Sequence, residues 1–167
     1  MKLFLFFLVI VSHQLFGQAV RSNESLWDQI RLNSKLQYDS DRSEITNASE
    51  KYIGKQYLIN RISKNGKRYL YYTVKEGLRK NLPVELSLIP FVESQFDPYA
   101  RSATGASGIW QFIPSTAKEN GLKKNWWYDG RRDIVASTEA AYGFLSKLYE
   151  RYGDWLIAIA AYNAGPS

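Results

Sequence analysis

The sequence predicts an all-α protein. Three observations carry that expectation. Apolar residues recur at helical spacing along most of the chain, and Pro, Gly, Asn and Asp punctuate them at helix starts and stops. No stretch makes a convincing strand.

The elements follow in order. Residues 20–43 are polar and read as an arm, with a short amphipathic piece over 26–36. Asn47 and Glu50 have capping-box spacing, which predicts a helix running to Ile62. The same Asn47-Ala48-Ser49 is a glycosylation sequon, but the cap already explains it. Asn65-Gly66 marks a turn, and 67–80 reads as a second helix with Leu70, Val74 and Leu78 on one face. Pro83 opens a helix through LPVELSLIPFVES, apolar on most sides and therefore buried, with a kink expected at Pro90. Leu86, Ile89 and Glu93 are spaced to share one face of it. Asp97-Pro98 stops this helix, and the small residues of 99–108 form a loop. Pro114 opens a short helix that Gly121 ends, and WWYDG at 126–130 is an aromatic turn. Asp133 caps a long helix over 134–152, which Gly153 stops. Asp154 caps a last helix, WLIAIAAYNAG, apolar all round and expected to be buried.

Composition narrows the function. With 167 residues the chain can build one core, and 15% aromatic residues suit a groove that stacks on sugar rings as well as they suit a core. The absence of cysteine excludes a disulfide scaffold, a thiolate metal site, a cysteine nucleophile and an N-terminal lipid-bearing cysteine. The single histidine, His13, leaves no basis for a histidine triad or a zinc site, and no cofactor or metal is expected. Residues 1–19 read as a secretory signal: Lys2, then a nine-residue apolar core over 3–11, then Gly17 and Ala19 flanking Gln18. Nine apolar residues fall short of a bilayer span of about 30 Å, so no stable membrane anchor is expected after cleavage. The net charge of +6 favours an anionic partner. The basic residues are scattered, in short pairs such as 123–124 and 131–132 and with no long run, which argues against nucleic acid. An exported, basic chain fits an anionic polymer of the cell wall. Nothing in the sequence bears on oligomeric state.

Glu93 is an acid set on an apolar stripe near a helix end. Desolvation and a helix C-terminal dipole would both raise its pKa, as a general acid at neutral pH requires. The plainer alternative is a carboxylate turned outward at a frayed helix end. No second carboxylate stands in a comparable setting. Asp97 and Asp129 are turn residues, Asp133 and Asp154 are caps, and Glu139 lies off its helix's apolar strip. A one-carboxylate mechanism fits this better than a pair.

Three motifs then coincide: ESQF at 93–96, GASGIWQFIPSTA at 105–117 and AYNAG at 161–165. In this order the chain resembles the lytic transglycosylases, most closely the membrane-bound lytic murein transglycosylase D type. LPVELSLIPFVESQFDP and YDGRRDIVASTEAA add to the likeness, which covers roughly residues 50–165. The resemblance implies a lysozyme-like, mostly helical fold and cleavage of the β-1,4 bond between N-acetylmuramic acid and N-acetylglucosamine in peptidoglycan. The cut closes the muramyl C6 hydroxyl onto C1 and leaves a 1,6-anhydro end. It gives Glu93 both proton transfers and places Ser102, Gln111, Tyr162 and Asn163 at the sugar. Each of these four has a plainer reading, as a loop residue (Ser102), a loop tie (Gln111) or a mutually satisfied core pair (Tyr162 and Asn163). Gly105 and Gly108 more simply shape the loop.

The chain departs from that family in three ways. Trp110 stands where a Met is common, the lipid-attachment cysteine of many relatives is missing, and the sequence stops after AYNAG where the family continues. The expected organisation is therefore a signal peptide at 1–19, an arm or linker at 20–49, and a catalytic domain at 50–167, incomplete at its C-terminus. The alternatives kept open are a lysozyme-like hydrolase and a non-catalytic peptidoglycan-binding fragment. Localisation is expected in the periplasm or cell envelope, with peptidoglycan glycan strands as partner.

Overall fold

The computed structural model describes residues 26–36 and 56–164. The signal segment and the Asn47 cap lie outside the described residues. Six α-helices are described: α1 (Leu26–Leu32), α2 (Gln56–Arg79), α3 (Ile89–Ser94), α4 (Pro114–Glu119), α5 (Ile134–Tyr152) and α6 (Trp155–Ala164), with a 3₁₀ segment, Val84–Leu88, leading into α3. Among the described residues only isolated bridges stand in place of strands, such as Ser107 with Phe112.

Local signals set α5 and α6. The Asp133 side chain accepts from the Ala136 amide at 3.0 Å, and Gly153 ends α5 in the left-handed region at φ 69°. Asp154 Oδ1 then accepts from the Leu156 and Ile157 amides at 2.7 and 3.0 Å, starting α6. α6 is not buried all round, as its composition suggested. Ala158 and Ile159 are buried against α5, but Ile157 is 51% exposed. Only one face of this helix meets the core.

Two further expectations change. No turn interrupts α2 at Asn65-Gly66; the helix runs through it. A Cβ at Gly66 would lie 3.6 Å from both Phe91 and Phe96, so the glycine lets two core rings lie close to the helix backbone. That close packing offsets the modest helix propensity cost of one glycine, about 1 kcal/mol. Pro90 does not kink a continuous helix either. The chain is 3₁₀ up to Leu88, and Pro90 sits in the first turn of α3, where its missing N–H costs no hydrogen bond.

Aromatic pairs are set into a mostly aliphatic core. Phe91 and Phe96 meet edge-on at 4.9 Å, and Trp110 and Tyr142 do so at 5.4 Å. Such pairs contribute roughly 0.5–1.5 kcal/mol each beyond area burial. Their polar atoms are satisfied: Trp110 Nε1 donates to Thr138 Oγ1 at 3.0 Å, and Tyr142 OH donates to the Thr73 carbonyl at 2.6 Å.

Residues 26–36 of the arm pack on this core. Ile30 of α1 is buried, and Trp27 stacks on Phe91. The contact is locked by Glu85, 4% exposed in the 3₁₀ segment. Its Oε1 accepts from the Lys35 and Leu36 amides at 2.9 Å each, and from the Ser34 hydroxyl. Glu85→Ala is expected to leave those amides without partners and to cost about 2 kcal/mol. Hydrogen exchange at Lys35 and Leu36 should accelerate well before that of α5; unchanged protection there would show that the apolar contacts alone hold the arm.

Candidate active site

The site grows from the end of α3. The helix is only six residues long because the backbone turns left-handed at Gln95 (φ 54°) and again at Phe96 (φ 57°). The Phe96 amide closes back on the Pro90 carbonyl at 3.1 Å. Glu93 therefore stands in the last turn, one turn beyond the fully buried Ile89 on the same face. Its neighbour Ser94 donates to the Ile109 carbonyl at 2.9 Å and ties α3 to the loop that follows.

That loop, residues 99–112, is held from several sides. The Gly108 amide donates to the Ala100 carbonyl at 3.1 Å, and Gln111 Nε2 donates to the Gly108 carbonyl at 2.8 Å and the Ala100 carbonyl at 3.3 Å. Arg131, 6% exposed, reaches in from beyond the aromatic turn. Its Nη1 donates to the Gly105 carbonyl at 2.8 Å and the Phe112 carbonyl at 3.3 Å, while Nε and Nη2 form a two-pronged pair with Asp129. Asp129 is held below the usual carboxylate range by that hydrogen bonding.

The final helix supplies the far wall. Ala158, Ile159 and Tyr162 share one face at i, i+1 and i+4, so burying the first two turns Tyr162 inward. Tyr162 OH donates to the Trp110 carbonyl at 2.8 Å, and its ring lies against Phe112 and Phe144. Burial, and then the neighbouring Glu93 carboxylate, raise its pKa well above the ordinary value.

These elements enclose a cleft of about 190 Å³ lined by Glu93, Gln111, Phe112, Ile113, Thr116, Phe144, Tyr162, Asn163 and Ala164. Glu93 is the sole carboxylate of this lining. Desolvation pushes its pKa up to about 7. No hydrogen bond or ion pair from another described residue reaches it.

The cleft brings together four of the five residues singled out in the sequence: Glu93, Gln111, Tyr162 and Asn163. Ser102 is not among them. Its hydroxyl accepts from the Ala106 amide at 3.0 Å and shares a hydrogen bond with Thr104, both within the loop. Gln111 both lines the cleft and ties the loop. Tyr162 and Asn163 are not a mutually satisfied pair, since the tyrosine bonds Trp110 and Asn163 is exposed. Four other carboxylates weighed in the sequence are occupied elsewhere: Asp97 Oδ1 accepts from the Tyr99 amide, Asp129 pairs with Arg131, and Asp133 and Asp154 cap helices.

Sequence reasoning missed Thr116, Phe112 and Phe144 as cleft walls, and Arg131 as the staple of the loop. No local signal marks Arg131; it is one of two adjacent arginines, and only the fold separates the buried one from the exposed one. Trp110, at the position where the resemblance led us to expect Met, is fully buried and serves the core, offering only its carbonyl to Tyr162.

Comparison with known proteins adds to this geometry. Residues 71–167 match the model of the transglycosylase SLT domain. The chain is 39% identical over 151 residues to the membrane-bound lytic murein transglycosylase D of Escherichia coli (strain K12), covering 89% of this chain and 33% of that protein. It is 33% identical over 87 residues to the membrane-bound lytic murein transglycosylase F of Desulfosudis oleivorans, covering 48% of this chain and 18% of that one. A third relative, the membrane-bound lytic murein transglycosylase F of Maricaulis maris, is 32% identical over 125 residues, covering 68% of this chain and 25% of its own length. The chain thus spans a third or less of the length of these relatives.

Proposed function

The chain belongs to the transglycosylase SLT domain family, and from that premise we propose that it is a lytic transglycosylase acting on peptidoglycan. In this reading it cleaves the β-1,4 bond from N-acetylmuramic acid to N-acetylglucosamine, with Glu93 as the single acid and base. The mostly helical, lysozyme-like fold class expected from the sequence is that of the family.

One observation carries the mechanism: a carboxyl group with no partner among the described residues, its pKa raised to about 7 by burial, in a cleft whose described lining holds no second carboxylate. Protonated Glu93 donates its proton to the glycosidic oxygen as the C1–O bond breaks, and the N-acetylglucosamine end leaves with a free hydroxyl. The carboxylate so formed then takes the proton of the muramyl C6 hydroxyl as that oxygen bonds to C1. The acid is regenerated, and no water enters the product. Because the nucleophile is part of the substrate, no second side chain is needed to position a water. A second carboxylate, which a hydrolase normally uses to activate water or to bind the sugar, is not found among the described residues of this cleft.

Gln111 and Asn163 are neutral hydrogen-bonding groups at the cleft, suited to hydroxyls and acetamides. Tyr162, with its hydroxyl committed to Trp110, forms the wall that keeps the acid dry. Ser102 serves in this reading to shape the loop. The N-terminal segment, read as a signal, would deliver the protein to the cell envelope where its substrate lies. No helix among the described residues is long and apolar enough to cross a membrane.

The test is the pH dependence of fragment release from purified sacculi. The reaction starts from protonated Glu93, so kcat/KM should fall tenfold per pH unit above about 7. A rate that stayed level to pH 9 would remove Glu93 from the role of general acid.

A further inference from the structure

The catalytic cleft leaves one conspicuous surface unexplained. Trp126 and Trp127 are 89% and 90% exposed, on the turn between α4 and α5. This turn is well braced. The Asn125 side chain accepts from the Trp127 and Tyr128 amides at 2.9 and 2.8 Å, the Asn125 amide donates to the Tyr128 carbonyl, and the Gly130 amide donates to the Lys123 carbonyl at 2.8 Å. Two indoles held in water by a braced turn contribute nothing to the core, and large exposed aromatics of this kind mark contact surfaces.

The two rings border a hollow of about 530 Å³, which also receives Arg101, Lys124 and Arg132. That volume suits a bound sugar-sized ligand. Its acids are already engaged, Asp129 by Arg131 and Asp133 by the α5 N-terminus and the Tyr128 hydroxyl. Arg101, Lys124 and Arg132 have no ion pair among the described residues. The hollow therefore combines flat aromatic faces with cations open to an anionic ligand. It shares no residue with the cleft, yet both flank the same loop. Arg101, near the start of that loop, lines the hollow, Phe112 ends the loop at the cleft, and the Arg131 guanidinium holds the Phe112 carbonyl from the hollow side.

We propose that this hollow is a second holding site for the glycan–peptide polymer, remote from the reacting bond, in which sugar faces stack on Trp126 and Trp127 and stem-peptide carboxylates pair with Arg101, Lys124 and Arg132. The proposal rests on the peptidoglycan reading above. A polymer bound at two places along one loop is kept in register while one bond is cut. A phospholipid surface is the competing occupant of exposed tryptophans beside lysines, but a concave, cation-lined site fits a ligand that enters it better than a flat bilayer.

The experiment measures binding of the full chain in a Glu93→Gln background, so that no ligand is consumed. The probes are purified sacculi, sacculi stripped of stem peptides by an amidase, and anionic phospholipid vesicles. Trp126→Ala with Trp127→Ala should weaken sacculus binding at least tenfold without changing the melting temperature, since both rings are outside the core. Arg101→Gln with Lys124→Gln should weaken binding to intact sacculi but not to stripped ones. Undiminished sacculus binding by the tryptophan variant overturns the proposal. So does a loss seen only with vesicles, which would assign the turn to a membrane. A parent that binds no sacculi overturns this site and the peptidoglycan reading together. Binding lost as expected, with fragments that lack anhydro ends when the unsubstituted protein is assayed, would leave this site standing and overturn the chemistry alone.

Discussion

Glu93→Gln should reduce fragment release from peptidoglycan by about a thousandfold or more. General acid–base assistance is worth roughly 10²–10⁴ in rate, and here one group serves both proton transfers. Glutamine keeps the shape and fits the cleft but carries no transferable proton. The same variant has a stability signature that separates loss of chemistry from loss of fold. Folding raises the Glu93 pKa from its ordinary 4.5 to about 7. Its contribution to stability is therefore full below about pH 4.5 and is lost as pH rises through 7. The difference in stability between variant and parent should shift in the variant's favour by about 3 kcal/mol between pH 4 and pH 8. Denaturant unfolding at the two pH values measures this, and a pH-independent difference would mean that Glu93 is solvated and ordinary.

The second large effect is expected at Gly108. It lies at φ 84°, and a Cβ built there would stand 1.7 Å from the Arg131 carbonyl oxygen. No side-chain adjustment relieves a clash with backbone. Either the loop 99–112 or the segment carrying Arg131 must move, breaking the hydrogen bonds that join them. Gly108→Ala should cost about 4 kcal/mol or more, an exceptional magnitude for one substitution that a displaced packed backbone accounts for. It should lower the melting temperature by about 10 °C or more, with activity falling because Gln111 and Phe112 lie on the displaced loop. Gly105→Ala is the control. Its φ is also positive, at 83°, but nothing lies within 4 Å of the added carbon, so it should cost only about 1–2 kcal/mol of backbone strain. Equal effects at the two sites would show that strain, not the close approach to Arg131, governs the loop.

The parts of this molecule that were legible in the sequence are those set by local chemistry. The ends of α5 follow from Asp133 and Gly153, the start of α6 from Asp154, and the start of α4 from Pro114. Each signal acts within a few residues of itself. The errors lie where distant packing decides. Asn65-Gly66 looks like a turn until Phe91 and Phe96 are placed against it. The last helix looks buried because its composition is apolar, although only one face meets α5.

The most instructive case is the pair of acids in the apolar run, Glu85 and Glu93. Sequence alone gives both the same anomaly, and reasoning from Glu93's neighbours passed over Glu85. The fold separates them. Glu85 is buried, and its Oε1 is held by the Ser34 hydroxyl and the backbone amides of residues 35 and 36, contacts that come from about fifty residues away. Glu93 faces a cleft without such partners. A buried carboxylate bonded to backbone amides holds structure; one left unpartnered beside a cavity is available to a substrate.

The central claim is that Glu93 closes the muramyl C6 oxygen onto C1 instead of admitting water. Mass spectrometry of the fragments released from purified sacculi tests it most directly. The account predicts muramyl ends one water lighter than reducing ends, present with the unsubstituted chain and absent with Glu93→Gln. Fragments released with ordinary reducing ends would contradict it and make the protein a hydrolase.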